Sequence, residues 1–357
     1  MSELLRYMQT LIEKRGPLSI ADYMELTLQH PEFGYYRHGD PLGKEGDFVT
    51  APEISQMFGE MVGLWCAEIW KQMGRPAEFV LLELGPGRGT LLADALRATA
   101  KISGFQQALR LHLLESNATL RQTQQQKLAA YSPVYISDAS QLAAMPVLAI
   151  ANEFFDALPV RQFEKTFHGW AERLVEMESG KLSFATRPVD AVHALLIPKD
   201  LQDANPGTVY EVSLPSLATM RDLGGHVARH GGAALIIDYG YIQISGRPTL
   251  QAVHNHAYVG VLDRPGETDI TAHVDFGALK AAATHGGAHV SGPLGQGDFL
   301  RALGVELRAA QLKKTASPAQ AVAIDSALHR LTSGDEMGSL FKVMAIAAPG
   351  STTPPAF

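Results

Sequence analysis

A single cysteine, Cys66, is all the thiol chemistry that 357 residues carry, so no disulfide can form within the chain. It sits in an apolar helical run, which points to a buried structural thiol and not to a nucleophile. Positive charge is also scarce. Thirty Lys and Arg against 37 Asp and Glu leave a net charge of −7, the wrong balance for a surface that neutralises phosphates, so no nucleic-acid partner is expected. No apolar run approaches the ~20 residues of a membrane-spanning helix. The N-terminal residues include Glu3 and Glu13 and lack signal or Arg/Ser-rich transit character, so a cytoplasmic protein is expected. No Gly-x-Ser-x-Gly elbow appears. His254 and His256 alternate as ligands on a strand might, but no acid or cysteine at suitable spacing joins them, so no metal site is expected. Internal repeats are absent.

What is present is ordinary in bulk and specific in one place. A hydrophobic fraction of 46% and a charged fraction of 19% suit one large globular domain or two modest ones. The specific stretch is Phe79-Val80-Leu81-Leu82-Glu83-Leu84-Gly85-Pro86-Gly87-Arg88-Gly89-Thr90. Its apolar run reads as a buried parallel strand. The glycines allow a sharp turn and close approach of backbone to a ligand. Leu91, Leu92, Ala95 and Leu96 then follow helical spacing, and a helix N-terminus after such a loop presents free N–H groups. A dinucleotide fingerprint wants a third glycine where Thr90 stands. The form found here, acid-x-Gly-x-Gly-x-Gly, resembles the first motif of class I S-adenosylmethionine-dependent methyltransferases.

Before this unit, Leu4, Leu5, Met8, Leu11 and Ile12 share one helical face, and Ser19 with Asp22 caps a second helix. Residues 31–50 form a glycine-rich connection. Thr50-Ala51-Pro52-Glu53 reads as a capping box opening one long helix, Ile54 to Met73. After the unit, Leu111–Glu115 is a second strand ending in an acid, where a carboxylate can accept from both hydroxyls of a ribose. Val134–Asp138 is a third strand, whose terminal acid either meets an adenine amino group or caps the next helix. Pro146–Ala151 is the fourth, running into Asn152-Glu153-Phe154-Phe155-Asp156-Ala157-Leu158-Pro159-Val160. Residues 161–205 break the rhythm and read as a small antiparallel meander. Ala233–Gly240 is a fifth strand, and Ala288–Val290 and Phe341–Ile346 are two more. A reversed last strand distinguishes a methyltransferase sheet from a nicotinamide-binding one. The expected division is a helical cap region over 1–78, a core over 79–160 and 206–348, an insertion over 161–205 and a frayed tail over 349–357.

These motifs together resemble the MidA-like family, the methyltransferases of the respiratory complex I assembly-factor type. The resemblance rests on Gly34-Tyr35-Tyr36, Gly46-Asp47-Phe48-Val49-Thr50-Ala51-Pro52-Glu53-Ile54-Ser55, Phe58-Gly59-Glu60, the glycine loop and the segment Asn152–Val160. It continues through Asp238-Tyr239-Gly240, Asp269–Phe276, Gln296–Leu300 and Met337–Val343. It implies a class I α/β fold, Rossmann-like with a reversed last strand, an S-adenosyl-L-methionine cofactor, and a protein acceptor carrying an arginine, with a complex I subunit as the candidate partner. The candidate cofactor shell is Thr50, Glu83, Gly85, Gly87, Gly89, Glu115, Ser116, Asp138 and Asn152. Glu153 and Asp156 are the candidate catalytic pair, because two carboxylates can clamp a guanidinium and bias its charge. Two other classes compete: a non-catalytic assembly chaperone that holds the cofactor, and a nicotinamide-dependent oxidoreductase.

Overall fold

The computed structural model describes residues 2–37 and 50–357, so the motif portion Gly46–Val49 lies outside the described residues. The chain divides into two compact units. One spans Met1–Phe48, Asp156–Ser216 and Gln243–Asp275; the other spans Val49–Phe155, Leu217–Ile242 and Phe276–Phe357. Among the described residues, no helix is long and apolar enough to cross a membrane.

The second unit is built on a mixed α/β sheet. Its strands are β1 (Phe79–Leu84), β2 (Leu109–Leu114), β3 (Val134–Ile136), β4 (Val147–Asn152), β5 (Gly232–Tyr241), β6 (His289–Gly295) and β7 (Phe341–Ala347). The main path of the sheet runs β6-β7-β5-β4-β1-β2-β3. Parallel pairing joins β5 to β4, β4 to β1, β1 to β2 and β2 to β3, whereas β7 runs antiparallel to both β5 and β6. The reversed strand is therefore the last one, as the resemblance implies. β1 and β4 are buried along their whole length, Glu83 and Asn152 included, as expected for strands covered on both faces.

Helices Gln56–Gln72 and Thr90–Thr99 cover one face of β1. They approach closely because Gly59 and Gly63 carry no side chain. A Cβ on Gly63 would stand 2.6 Å from the Ala95 backbone. The long helix expected from Ile54 to Met73 is instead two helices, Ala51–Ile54 and Gln56–Gln72. Ser55 adopts an extended conformation between them and caps the second through Met57 N–H at 3.2 Å. The tail expected to fray is anchored. Trp65 donates to the Pro355 carbonyl at 3.2 Å, and Phe357 packs on the core beside Phe299. An indole hydrogen bond at Pro355 and a ring contact at Phe357 together offset the entropy of a loose end.

The other unit contains the expected meander, strands Arg161–Thr166, Gly169–Glu178 and Lys181–Pro188 in antiparallel pairing. It is larger than the insertion expected over 161–205. Val209–Val212 joins one edge, Leu18–Ser19 pairs with Gly169–Glu178, and a three-stranded sheet is centred on Gln251–His254. Helices Glu3–Arg15 and Ile20–Gln29 bury Leu4, Met8, Tyr23 and Met24 in a core shared with Val175 and Ile270. Ser19 and Asp22 form the capping box their spacing predicts.

Candidate active site

The site begins where β1 stops. Gly85, Gly87 and Gly89 have φ of +64°, +52° and +71°, a left-handed backbone that only glycine adopts cheaply. A side chain at Gly85 would also press on the Phe154 ring, its Cβ standing 2.9 Å from the nearest ring carbon. Gly89 opens helix Thr90–Thr99. Gly85 N–H donates to the Leu114 carbonyl at 3.0 Å, which ties the loop to the end of β2.

Glu115 follows β2 directly and is buried. Its Oε1 accepts from Asn117 N–H at 2.8 Å, and its Oε2 from Gln124 Nε2 at 3.1 Å. Burial raises its carboxyl above the usual range, against the lowering pull of hydrogen bonds from Asn117, Gln124 and Ser116. Each carboxylate oxygen has two acceptor sites, so the face needed by a ribose diol survives these bonds. Gln124 was not foreseen from the sequence. Its amide also donates to the Gly87 carbonyl at 2.6 Å, so one side chain holds both the glycine loop and the acid. A polar residue in a polar helix, Ala118–Lys127, gives no pattern by which to pick it out.

Glu83 lies buried at the end of β1, its carboxyl pushed up to about 8 by burial first and by the Glu115 charge second. Burial and Glu83 together push the Cys66 thiol up to about 12, which keeps it protonated and unreactive.

At the end of β4 the structure departs from expectation. Thr50 makes no side-chain cap; the N–H of Ala51 donates instead to Glu153 Oε1 at 3.0 Å. Asn152 Nδ2 donates to the same oxygen at 3.1 Å. The capping box is thus replaced by a carboxylate distant in sequence, which no local pattern could reveal. Glu153 has φ of +49°, a strained value for a non-glycine residue, and burial raises its carboxyl against the bonds from Ala51 and Asn152. The turn is held by Asp238 at the end of β5. Its Oδ2 accepts from the N–H groups of Phe154 and Phe155 at 3.2 and 3.0 Å, and its Oδ1 from Tyr239 N–H at 3.0 Å. Asp156 falls in the other compact unit, where its carbonyl accepts from Ala272 N–H at 3.0 Å. Asp138 is exposed and caps its own turn; hydrogen bonds from the Ser140 hydroxyl and from Ser140 N–H at 2.9 Å hold its carboxyl below the usual range. At that position the local cap is what the structure forms. Ser116 contributes a backbone hydrogen bond to Glu115.

Among the described residues of this unit, four buried side-chain oxygens have no partner. Three of them, Glu83 Oε2, Gln124 Oε1 and Asn152 Oδ1, gather around the glycine loop and its neighbouring strand ends, the fourth being Gln296 Oε1. Unsatisfied buried acceptors are costly, so a site holding three of them suits a ligand rich in donors and positive charge. A dinucleotide pyrophosphate, which needs donors, fits this poorly. S-adenosylmethionine, with an ammonium, a sulfonium, ribose hydroxyls and an adenine amine, fits it well.

The family model for S-adenosyl-L-methionine-dependent methyltransferases matches residues 61–294. The chain belongs to that family. Its cofactor is S-adenosyl-L-methionine. Among relatives, the mitochondrial protein arginine methyltransferase NDUFAF7 of Xenopus tropicalis is 34% identical, with 99% of this chain and 88% of that one covered. The Mus musculus protein of the same name is 35% identical over 96% of this chain and 84% of its own. A Burkholderia thailandensis protein solved bound to S-adenosyl-homocysteine superposes with a TM-score of 0.85. It is 30% identical, and the match covers 99% of this chain and 94% of that one. The methyltransferase fold and chemistry expected from the motifs are therefore correct, and the oxidoreductase alternative is set aside.

Proposed function

We propose that this methyltransferase modifies an arginine side chain of a partner protein, in the cytoplasm, with a respiratory complex I subunit as the first candidate acceptor. The observation that carries the reading is near full-length similarity to proteins named as protein arginine methyltransferases. A half-buried acid that follows β4 at its carboxyl end, Glu153, supports it.

The cofactor supplies a methyl carbon on a positively charged sulfur. The chain's own residues do the rest. Gly85, Gly87 and Gly89 would let the methionine part lie against the backbone, and Glu115 would accept from the ribose hydroxyls. Asn152 Oδ1 and Glu83 Oε2 offer acceptors to donor groups, and Asp138 stays the candidate for the adenine amine. Glu153, held in place by Ala51 N–H and Asn152, would accept from the guanidinium and steer its charge. Asp156 stays the second candidate acid for the acceptor. Glu153 would hold the guanidinium whose nitrogen takes the methyl group, and that nitrogen would release one proton to solvent in exchange for the new carbon–nitrogen bond.

The test is incubation with methyl-labelled cofactor and a lysate from cells lacking the enzyme, followed by acid hydrolysis of the labelled protein. Label recovered in methylarginine supports the reading. Label in another residue overturns the arginine acceptor, and no label in any protein favours a cofactor-holding chaperone.

A further inference from the structure

Beyond the glycine loop, the carboxyl edge of the same unit carries a second pocket of about 270 Å³. Ile242 and Leu294 give it apolar walls, and Asp298, Arg301, Ser339 and Lys342 supply its polar groups. Lys342, the second residue of β7, stands in register between Asp238 of β5 and Gly295 of β6. The pocket therefore sits at the ends of the parallel strands, the edge at which α/β sheets bind ligands. Its shape depends on close backbone contact. A Cβ on Gly295 would lie 2.8 Å from the Gly338 carbonyl, and one on Gly338 would lie 2.1 Å from the Thr332 carbonyl.

The two cations differ in what they already hold. Arg301 is spoken for: it donates to the Thr332 carbonyl at 2.7 Å and pairs with Asp298 at 3.3 Å and Glu306 at 3.8 Å. Lys342 donates to the carbonyls of Ser339 and Leu340, two of its three N–H bonds, and among the described residues no carboxylate pairs with it. The pocket thus has one uncompensated positive charge, a spare ammonium donor, and the Ser339 hydroxyl in its wall.

We propose that this pocket receives a single carboxylate, an acidic side chain of the acceptor protein. The proposal rests on the reading that the acceptor is a protein. One free charge matches a monoanion; a phosphate dianion would bring a second charge for which Arg301 is no longer available. The volume is below the usual range for small-molecule sites and suits the tip of a side chain. Burial lowers the Lys342 ammonium from its usual range, the state of a cation with no counter-ion beside it.

The test uses the full chain and a blocked pentapeptide with one central glutamate, beside its glutamine counterpart, acetate and inorganic phosphate. Amine acetylation followed by mass spectrometry reads the labelling rate at Lys342. The glutamate peptide should slow that rate several-fold, with the other three probes at equal concentration having little effect. Protection by phosphate above that of the peptide, equal protection by acetate, or no protection by the glutamate peptide would each overturn the proposal. With a fluorescent peptide, Lys342→Met should weaken binding by about tenfold or more, and Lys342→Arg should restore it. Equal binding by all three proteins overturns it. Because methylarginine formation is read separately in the lysate, failure here with methylarginine present removes the pocket alone. Protection here without methylarginine removes the arginine reading alone.

Discussion

At the residue scale, the three acidic and glycine positions around β1 and β2 have separable consequences. Valine at Gly87 would force a β-branched residue into φ of +52° and put a side chain on the surface proposed for the cofactor. The strain alone is worth about 1–3 kcal/mol, so calorimetric titration of Gly87→Val should show S-adenosylmethionine affinity reduced at least about tenfold. Undiminished affinity would mean the cofactor avoids this loop. Glu115→Ala removes a charged acceptor worth about 1.5–3 kcal/mol, and the dissociation constant should rise roughly 10- to 150-fold. Glu83 makes a different demand. Its folded carboxyl, raised to about 8, keeps its proton where the unfolded chain has lost it, so the folded state binds more protons between the ordinary carboxylate range and pH 8. Stability from this group is fully present below the ordinary range and lost as pH rises through about 8. Glu83→Gln should therefore raise the melting temperature relative to the native chain at pH 8 more than at pH 5. A pH-independent difference in cofactor-free protein would show that Glu83 ionises normally.

At the element scale, the helices beside the glycine loop are held by one buried acid. Glu60, on Gln56–Gln72, receives two hydrogen bonds from Arg308 at 2.7 and 2.9 Å, and one from Arg97 at 2.8 Å. Burial would raise its carboxyl, but the bonds from Arg308 and Arg97 prevail and hold it below the usual range. Its contribution is therefore present above the ordinary carboxylate range and fades as pH falls through the lowered value. The bridge joins helix Gln56–Gln72 to Thr90–Thr99 and Val305–Lys313. Arg308→Met breaks its two-bond side and should cost about 3 kcal/mol in urea unfolding. Arg97→Met leaves that side intact at a half-exposed position and should cost about 1 kcal/mol or less. The reverse order would show that Arg97 carries the bridge.

At the scale of the whole molecule, cofactor binding and acceptor chemistry should come apart. Glutamine at 153 keeps an oxygen for the Ala51 N–H but loses the charge that a guanidinium would feel. S-adenosylmethionine affinity of Glu153→Gln should stay within about threefold of native. Methyl transfer to an arginine-containing acceptor should fall by about 100-fold or more. A matched loss of both would assign Glu153 to the cofactor shell, and undiminished transfer would remove the clamp. Asp156→Asn should show the same split between cofactor affinity and methyl transfer, and a variant with undiminished transfer would remove Asp156 from the candidate acids.

The sequence by itself determined the succession of strands along the chain and the glycine loop, while the reversed strand followed from the family resemblance and the order of strands in the sheet from the structure. The first two are written in local apolar runs, glycine spacing and one acid at a strand end. Glu115 was legible for the same reason, since it ends an apolar run. The tertiary structure decided the rest, because the partners are distant along the chain. Glu153 replaces Thr50 as the cap of Ala51–Ile54 across 102 positions. Gln124 reaches back 37 positions to Gly87, and Asp238 fixes the Phe154 turn from 84 positions away. Such pairs form only when parallel strands bring their carboxyl ends together, and no periodicity records which side chain will stand there.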